Sequence, residues 1–145
     1  MGSSCALKDA AALPFSLISV ESPQALLENA ALWIQRREEG LDFEEIFYYC
    51  SYERLQVFGV SLWAHAYEEC QGLWKNRVRI DLEDFPFFPF MVDVKTSSGF
   101  IFLGIRLGLK YFLFKKDADL FTKLQNLIRS HGGLLFEGRK IRDQT

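Results

Sequence analysis

Apolar residues first recur at helical spacing after Ser22-Pro23, where Leu26, Leu27, Ala30, Ala31 and Ile34 return every three or four positions until Gly40. Ser22 can cap, and Pro23 takes the first helical position, where a missing N–H costs nothing; a helix is predicted over 22–40. Asp42-Phe43-Glu44-Glu45 has the form of a capping box, Phe43, Ile46, Phe47 and Cys50 share one face, and Gly59 supplies a stop. A second helix is predicted over 42–59.

Beyond Gly59 the period shortens. Charged and apolar residues alternate in Arg77-Val78-Arg79-Ile80-Asp81-Leu82-Glu83, as in a strand with one wet face. Residues 90–95, 100–106 and 109–115 are β-branched or aromatic runs, separated by Thr96-Ser97-Ser98-Gly99 and by Gly108, so an antiparallel meander is the economical arrangement. Residues 60–67 suit either another strand or a continuation of the second helix, since Ala64, His65 and Ala66 do not favour sheet. Asp117 can cap a last helix whose stripe is Leu120, Phe121, Leu124, Leu127 and Ile128, and Gly132-Gly133 ends it, with Arg129 and His131 in its final turn. The expected fold class is therefore α+β: two N-terminal helices, a small antiparallel sheet of four or five strands, and a long C-terminal amphipathic helix. Residues 1–20 form an arm and residues 21–145 a single domain.

Composition agrees with one folded domain. The chain has 145 residues, of which 49% are hydrophobic and 25% charged, which excludes disordered, collagen-like and disulfide-scaffold classes. A formal charge of −2 leaves no overall electrostatic footprint for nucleic acid. That total conceals a division: residues 1–59 hold four basic and nine acidic side chains, residues 60–145 thirteen and ten. Cys5, Cys50 and Cys70 show no close pairing, so neither a disulfide framework nor a zinc knuckle is indicated and a reducing compartment fits. The longest apolar run, 85–94, is broken by Pro86, Pro89 and Asp93, short of the ~20 residues a spanning helix needs. The basic-then-apolar start of a secretory signal is missing.

Candidate chemistry begins at Met-Gly-Ser-Ser-Cys-Ala. Gly2 stands where a myristoyl group is attached once Met1 is removed, and Cys5 is placed for palmitoylation, the second signal that stable anchoring needs; Ala6 departs from the preferred Ser or Thr. The plainer alternative is a start of no functional meaning. Arg77, Arg79, Lys95 and Arg106 are candidates for phosphate or peptide binding, because strand-borne arginines present a fork that suits phosphate; an ordinary wet face, with lysine protecting strand edges, is the plainer alternative. Phe85-Pro86-Phe87-Phe88-Pro89-Phe90 cannot form a central strand, yet Phe85, Phe87, Phe88 and Phe90 need cover, from the domain core or from a docked partner. Asp81, Glu83 and Asp84 are explained by strand alternation rather than by a cation site. His65 and His131 lack partners at any catalytic or metal-binding spacing; no catalytic residue, metal site or cofactor is implied.

Several stretches carry a resemblance. Leu55-Gln56-Val57-Phe58-Gly59-Val60 is similar to the end of the helical second lobe of FERM domains, and Leu103-Gly104-Ile105 with Gly108-Leu109 to the strand that follows it. The segment from Lys123-Leu124 to Leu134-Leu135 resembles the closing FERM helix. Met-Gly-Ser at the start, Phe112 to Phe114 and Ala118 to Leu124 resemble the myristoylated fibroblast growth factor receptor substrate type of adaptor, with its phosphotyrosine-binding domain. Both belong to the pleckstrin-homology superfold, which implies an antiparallel sheet, a capping helix and peptide binding.

The functional expectation is a cytoplasmic, non-enzymatic adaptor or scaffold module, held at the inner face of a membrane, that binds a protein or phosphopeptide partner or an acidic membrane lipid. Two alternatives stand beside it: an obligate subunit with a buried aromatic interface, and a small α+β enzyme using His65 or Cys70.

Overall fold

Strand pairing sets the architecture. In the computed structural model, which describes residues 16–40, 46–77, 87–115 and 118–137, strands and helices alternate along the chain. They are β1 (Ser16–Ser19), α1 (Pro23–Glu38), β2 (Ile46–Cys50), α2 (Tyr52–Phe58), α3 (Val60–Arg77), β3 (Phe90–Lys95), α4 (Ser98–Arg106), β4 (Tyr111–Phe114), α5 (Ala118–Ser130) and β5 (Leu134–Glu137). The strands form one sheet in the order β1-β2-β3-β4-β5, and all four pairings are parallel. Parallel neighbours cannot be joined by a tight turn, so each link must cross back along the sheet, here by helix. With consecutive strand order and right-handed crossovers, every helix falls on the same face.

The core shows that result directly. Leu26 and Ile34 of α1, Leu55 of α2, Trp63 and Tyr67 of α3, Ile101 of α4, and Leu124 and Ile128 of α5 belong to one buried cluster with alternate strand residues such as Tyr48, Phe90, Val92 and Phe112. Phe47, Tyr49, Met91, Tyr111 and Leu113 point the other way and are also buried, in a second cluster to which no helix of the described residues contributes. Strands buried on both faces read as unbroken apolar runs, with no alternation to betray them.

Aromatic packing locks α1 and α3 to the sheet. Trp33 stacks on Trp74 with ring centroids 5.4 Å apart and planes 7° from parallel, and Phe88 meets both rings edge-on. Trp63 stacks on Phe90 at 5.7 Å. The Arg37 guanidinium lies 4.9 Å from the centre of the Trp33 ring, so its charge is buried against a π face.

The mixture of helix and strand is as expected; the small antiparallel sheet behind two N-terminal helices is not. The first helix holds, with Ser22 Oγ accepting from Ala25 N at 3.0 Å and Pro23 opening it. The second expected helix is in fact β2 followed by α2: Ile46–Cys50 is buried throughout, and Ser51 rather than Asp42 caps the helix that Gly59 ends. Residues 60–67, left open, are helix. The alternating segment expected as a strand begins with Arg77, the last residue of α3, and its remainder lies outside the described residues. Residues 100–106 are helix, not strand: Ser97, expected in a turn, caps α4 by accepting from Phe100 N at 3.2 Å. β1 lies in the stretch assigned to the arm, and β5, an unexpected strand, follows directly on the Gly132-Gly133 stop. The antiparallel meander that the resemblance implies is thus replaced by a parallel sheet.

Gly104 shows why α4 sits where it does. A Cβ on Gly104 would lie 2.7 Å from Cε1 of Phe112 and 3.3 Å from Cδ1 of Leu109, so only hydrogen lets the helix approach β4 this closely. Phe112 is fully buried and has nowhere to move. Gly104→Ala should therefore destabilise the fold by about 1–3 kcal/mol, despite the better helix propensity of Ala. Denaturant melts of the two proteins test this; equal midpoints would show that α4 is loosely seated.

Candidate functional site

The carboxyl ends of parallel strands are where such folds usually place their chemistry, in the crevice opened where strand order reverses. This sheet has no reversal, so it opens no such crevice. Ser22, Ser51 and Ser97 cap the helices that start at this end, accepting from Ala25 N, Arg54 N and Phe100 N at 3.0, 3.2 and 3.2 Å. The charged groups around them are paired. Arg54 meets Glu21 at 2.8 Å, and Lys95 Nζ lies 3.5 Å from Glu53 and 5.1 Å from the centre of the Tyr52 ring.

Asp93 is the most constrained of this group. The Tyr49 hydroxyl donates to its Oδ2 at 2.9 Å, and the backbone N–H of Lys95 donates to its Oδ1 at 2.8 Å. The ladder between β3 and β4 shifts register between Asp93 and Lys95, and Lys95 takes a left-handed φ of 52°. Burial raises the Asp93 pKa, with the two hydrogen bonds opposing it, and burial together with the nearby carboxylate pushes the Tyr49 phenol well up. The carboxylate acts as a clamp: it ties β2 to the bulged end of β3.

The groups proposed for nucleophilic chemistry are separated. Cys70 is fully buried and its thiol is pushed up to about 12 by burial, and burial raises Cys50 in the same direction, so both are neutral thiols at physiological pH. His65 is exposed on the other side of α3, 3.3 Å from Glu69. His131 lies at the end of α5 with Nδ1 3.1 Å from the Leu127 carbonyl oxygen, where a helix C-terminus favours it. Among the described residues no three His, Cys, Asp or Glu side chains cluster as a metal site, and no helix is long and apolar enough to cross a membrane.

The proposed phosphate-binding residues do not converge. Arg77 ends α3 and Arg106 ends α4, helices that return to the end where strands begin: Phe88 N donates to Gln71 of α3 at 2.7 Å, and Leu109 N to the Gly104 carbonyl at 2.9 Å. Lys95 stands at the opposite end of β3, roughly 15–20 Å away at the rise of a strand. Of the aromatic run, Phe88 and Phe90 are fully buried in the core, and Phe87 is half-buried beneath Lys110, whose Nζ lies 4.7 Å from its ring centre. These rings pack the fold rather than offering themselves to a partner. Gly2, Cys5, Arg79, Asp81, Glu83, Asp84 and Phe85 lie outside the described residues.

Two surfaces stand out that the sequence reading passed over. α4 is apolar on both sides: Ile101 and Gly104 face the core, while Phe102, Leu103 and Leu107 face outward at 49, 38 and 40% exposure, accompanied by Arg106. Their helical spacing was present in the sequence but was hidden by the strand-like character of Phe-Ile-Phe-Leu. The other surface is a cleft of about 220 Å³ beside β1, lined by Ile18, Leu32, Trp33, Arg36 and Tyr48 among others, smaller than ordinary small-molecule sites. The chain matches no family model, no curated protein and no solved structure.

The Asp93 clamp has a pH signature. Its pKa is raised above the ordinary 3.8, so the ionised form is penalised in the folded state. Stability from this group is greatest below the unfolded value and declines as pH rises from there through the folded value. Asp93→Asn, whose Oδ1 still accepts from Lys95 N–H and whose Nδ2 can donate to the Tyr49 hydroxyl oxygen in a reversed bond, should remove that decline, gaining on the native chain as pH goes from 3 towards 7. Urea melts across this range test it; a variant that loses ground towards neutral pH would show that the carboxylate is held by attraction.

Proposed function

We infer that the protein is a non-enzymatic adaptor module that binds a protein partner through the outer face of α4. The observation that carries this is a helix with no acidic residue and apolar side chains on its outer as well as its inner half, Arg106 being its one charge. A helix of that kind is normally enclosed, yet here Phe102, Leu103 and Leu107 form a stripe in solvent. An aromatic ring flanked by two leucines offers apolar area to a partner, and covering the exposed 38–49% of each is worth about 0.5–1.5 kcal/mol. Arg106 at the end of the stripe favours an apolar partner face flanked by a carboxylate. This replaces both earlier candidates for the docking surface, the aromatic run and the basic strand residues. Acylation at Gly2 and Cys5 would add a membrane address to the same module, since two chains anchor where one binds only marginally.

The surface is tested with a photo-crosslinking amino acid placed at Phe102 or, as control, at exposed Gln56 of α2, in the cells that make the protein. A discrete protein adduct from position 102 alone is expected. In parallel, Phe102→Asp/Leu103→Ser should stay folded, losing no more than about 2–3 kcal/mol of its unfolding free energy, while retaining at least tenfold less of the crosslinked partner. No adduct, or one carrying lipid only, would overturn the reading. The membrane address is tested by the intact mass of cell-derived protein, expected to equal the chain without Met1 plus two fatty acyl groups.

A further inference from the structure

The opposite flank of the helical layer carries a different pattern. α1 is the outermost helix on the β1 side: it packs on α3 through Trp33 and Trp74, and its other flank overlooks the cleft beside β1. At the middle of that flank Leu32 is 63% exposed, more than most large apolar side chains of the chain, and Ile18 of β1 is 38% exposed at the same level. Glu28 lies four residues before Leu32 and Arg36 four residues after, both exposed and on the same side of the helix.

That arrangement is self-complementary. When two antiparallel copies of α1 meet about a two-fold axis through Leu32, each Leu32 faces its counterpart, and Glu28 of either chain faces Arg36 of the other. A head-to-tail contact gains neither pairing. The sheet supports the same axis. Among the described residues β1 ends the strand order, and Ser16-Leu17-Ile18-Ser19 carries no charge or proline, its shortness being its own edge protection. α1 sits above β1 and β2, with Trp33 edge-on to Tyr48 and the Tyr48 hydroxyl donating to the Asn29 carbonyl oxygen at 3.2 Å. With strands ~4.8 Å apart, antiparallel pairing of two β1 edges leaves the α1 axes about 10 Å apart, an ordinary helix-packing distance. Ile18 and Leu32 line one cleft, so strand and helix place the axis at one height.

We propose that the occupant of this cleft is a second copy of the chain, joined through α1 and the β1 edge in a two-fold dimer. This goes beyond the α4 reading and does not rest on it, because α3 stands between α1 and α4. In sedimentation equilibrium at tens of micromolar, the purified protein should show twice the 16.8 kDa of one chain. Leu32→Asp should raise the dissociation constant by at least tenfold. Glu28→Arg and Arg36→Glu, each alone, set like charges face to face twice and should each weaken the dimer by about tenfold. An equimolar mixture of those two variants restores both attractive pairs and should form the heterodimer with near-native affinity. That rescue is something an intramolecular role of either residue would not produce. Phe102→Asp should leave the dimer intact. A monomer at these concentrations, a mixture that fails to recover, or a dimer dissolved by Phe102→Asp would each overturn the proposal.

Discussion

Everything in this molecule follows from the decision of neighbouring strands to run parallel. A parallel ladder cannot be closed by a hairpin, so the chain must return to the starting end between strands, and a helix is the shortest way to do so with its backbone hydrogen bonds satisfied. Consecutive order then removes any choice of side. The helices share one face of the sheet, their apolar stripes merge into one core, and the other face is left to the strands' remaining side chains, Phe47, Tyr49, Met91, Tyr111 and Leu113. The strand aromatics Phe47, Tyr48, Phe90, Tyr111 and Phe112 find their purpose here, since a sheet buried on both faces needs bulk on alternate residues in both directions.

Much of the helical content could be read from the sequence because caps and stops are local chemistry. Ser22-Pro23, Gly59, Gly108 and Gly132 mark boundaries wherever the chain goes next, and the last three have the positive φ values of 88°, 97° and 86° that favour glycine. Strand direction could not be read in the same way. Ile-Phe-Tyr-Tyr-Cys carries no period because both of its faces are buried, and it was absorbed into the helix suggested by Asp42 and Glu45. Phe-Ile-Phe-Leu in α4 failed in the opposite sense: its intrinsic preference is for strand, and only the need for a crossover between β3 and β4 makes it helix. Once one run was mistaken for a strand, the short gaps around it looked like hairpin turns and an antiparallel meander became the economical arrangement.

The candidate site was lost through the same error. In a strand, residues 102 and 103 point to opposite faces; on a helix Leu103 and Leu107 stack one turn apart and Phe102 lies beside them on the same outer half. The aromatic run is conspicuous for its composition, but Pro89 belongs to the approach to β3, where its carbonyl oxygen accepts from Tyr48 N at 2.9 Å and Phe88 fits between Trp33, Tyr48 and Trp74. The basic residues were grouped on the assumption of one wet face of one small sheet. In the parallel arrangement α3 and α4 end where strands begin, Lys95 stands at the opposite end of β3, and Lys95 is engaged by Glu53 and Tyr52.

Consecutive strand order also lays the sequence out across the molecule from one edge to the other, so asymmetry along the chain becomes asymmetry in space. Before α3 the described residues hold three basic and five acidic side chains; from β3 onward they hold six and three. A molecule with such a gradient is drawn to stack head to tail, and with sheet edges at both ends that mode has no closure and leads to filaments. A two-fold contact at the acidic end opposes this. It uses charges that alternate within one helix, Glu28 and Arg36, rather than the gradient itself, and it occupies the β1 edge in both copies. Closing that edge leaves α4 and its apolar stripe facing outward on each side, available to a partner of different chemistry.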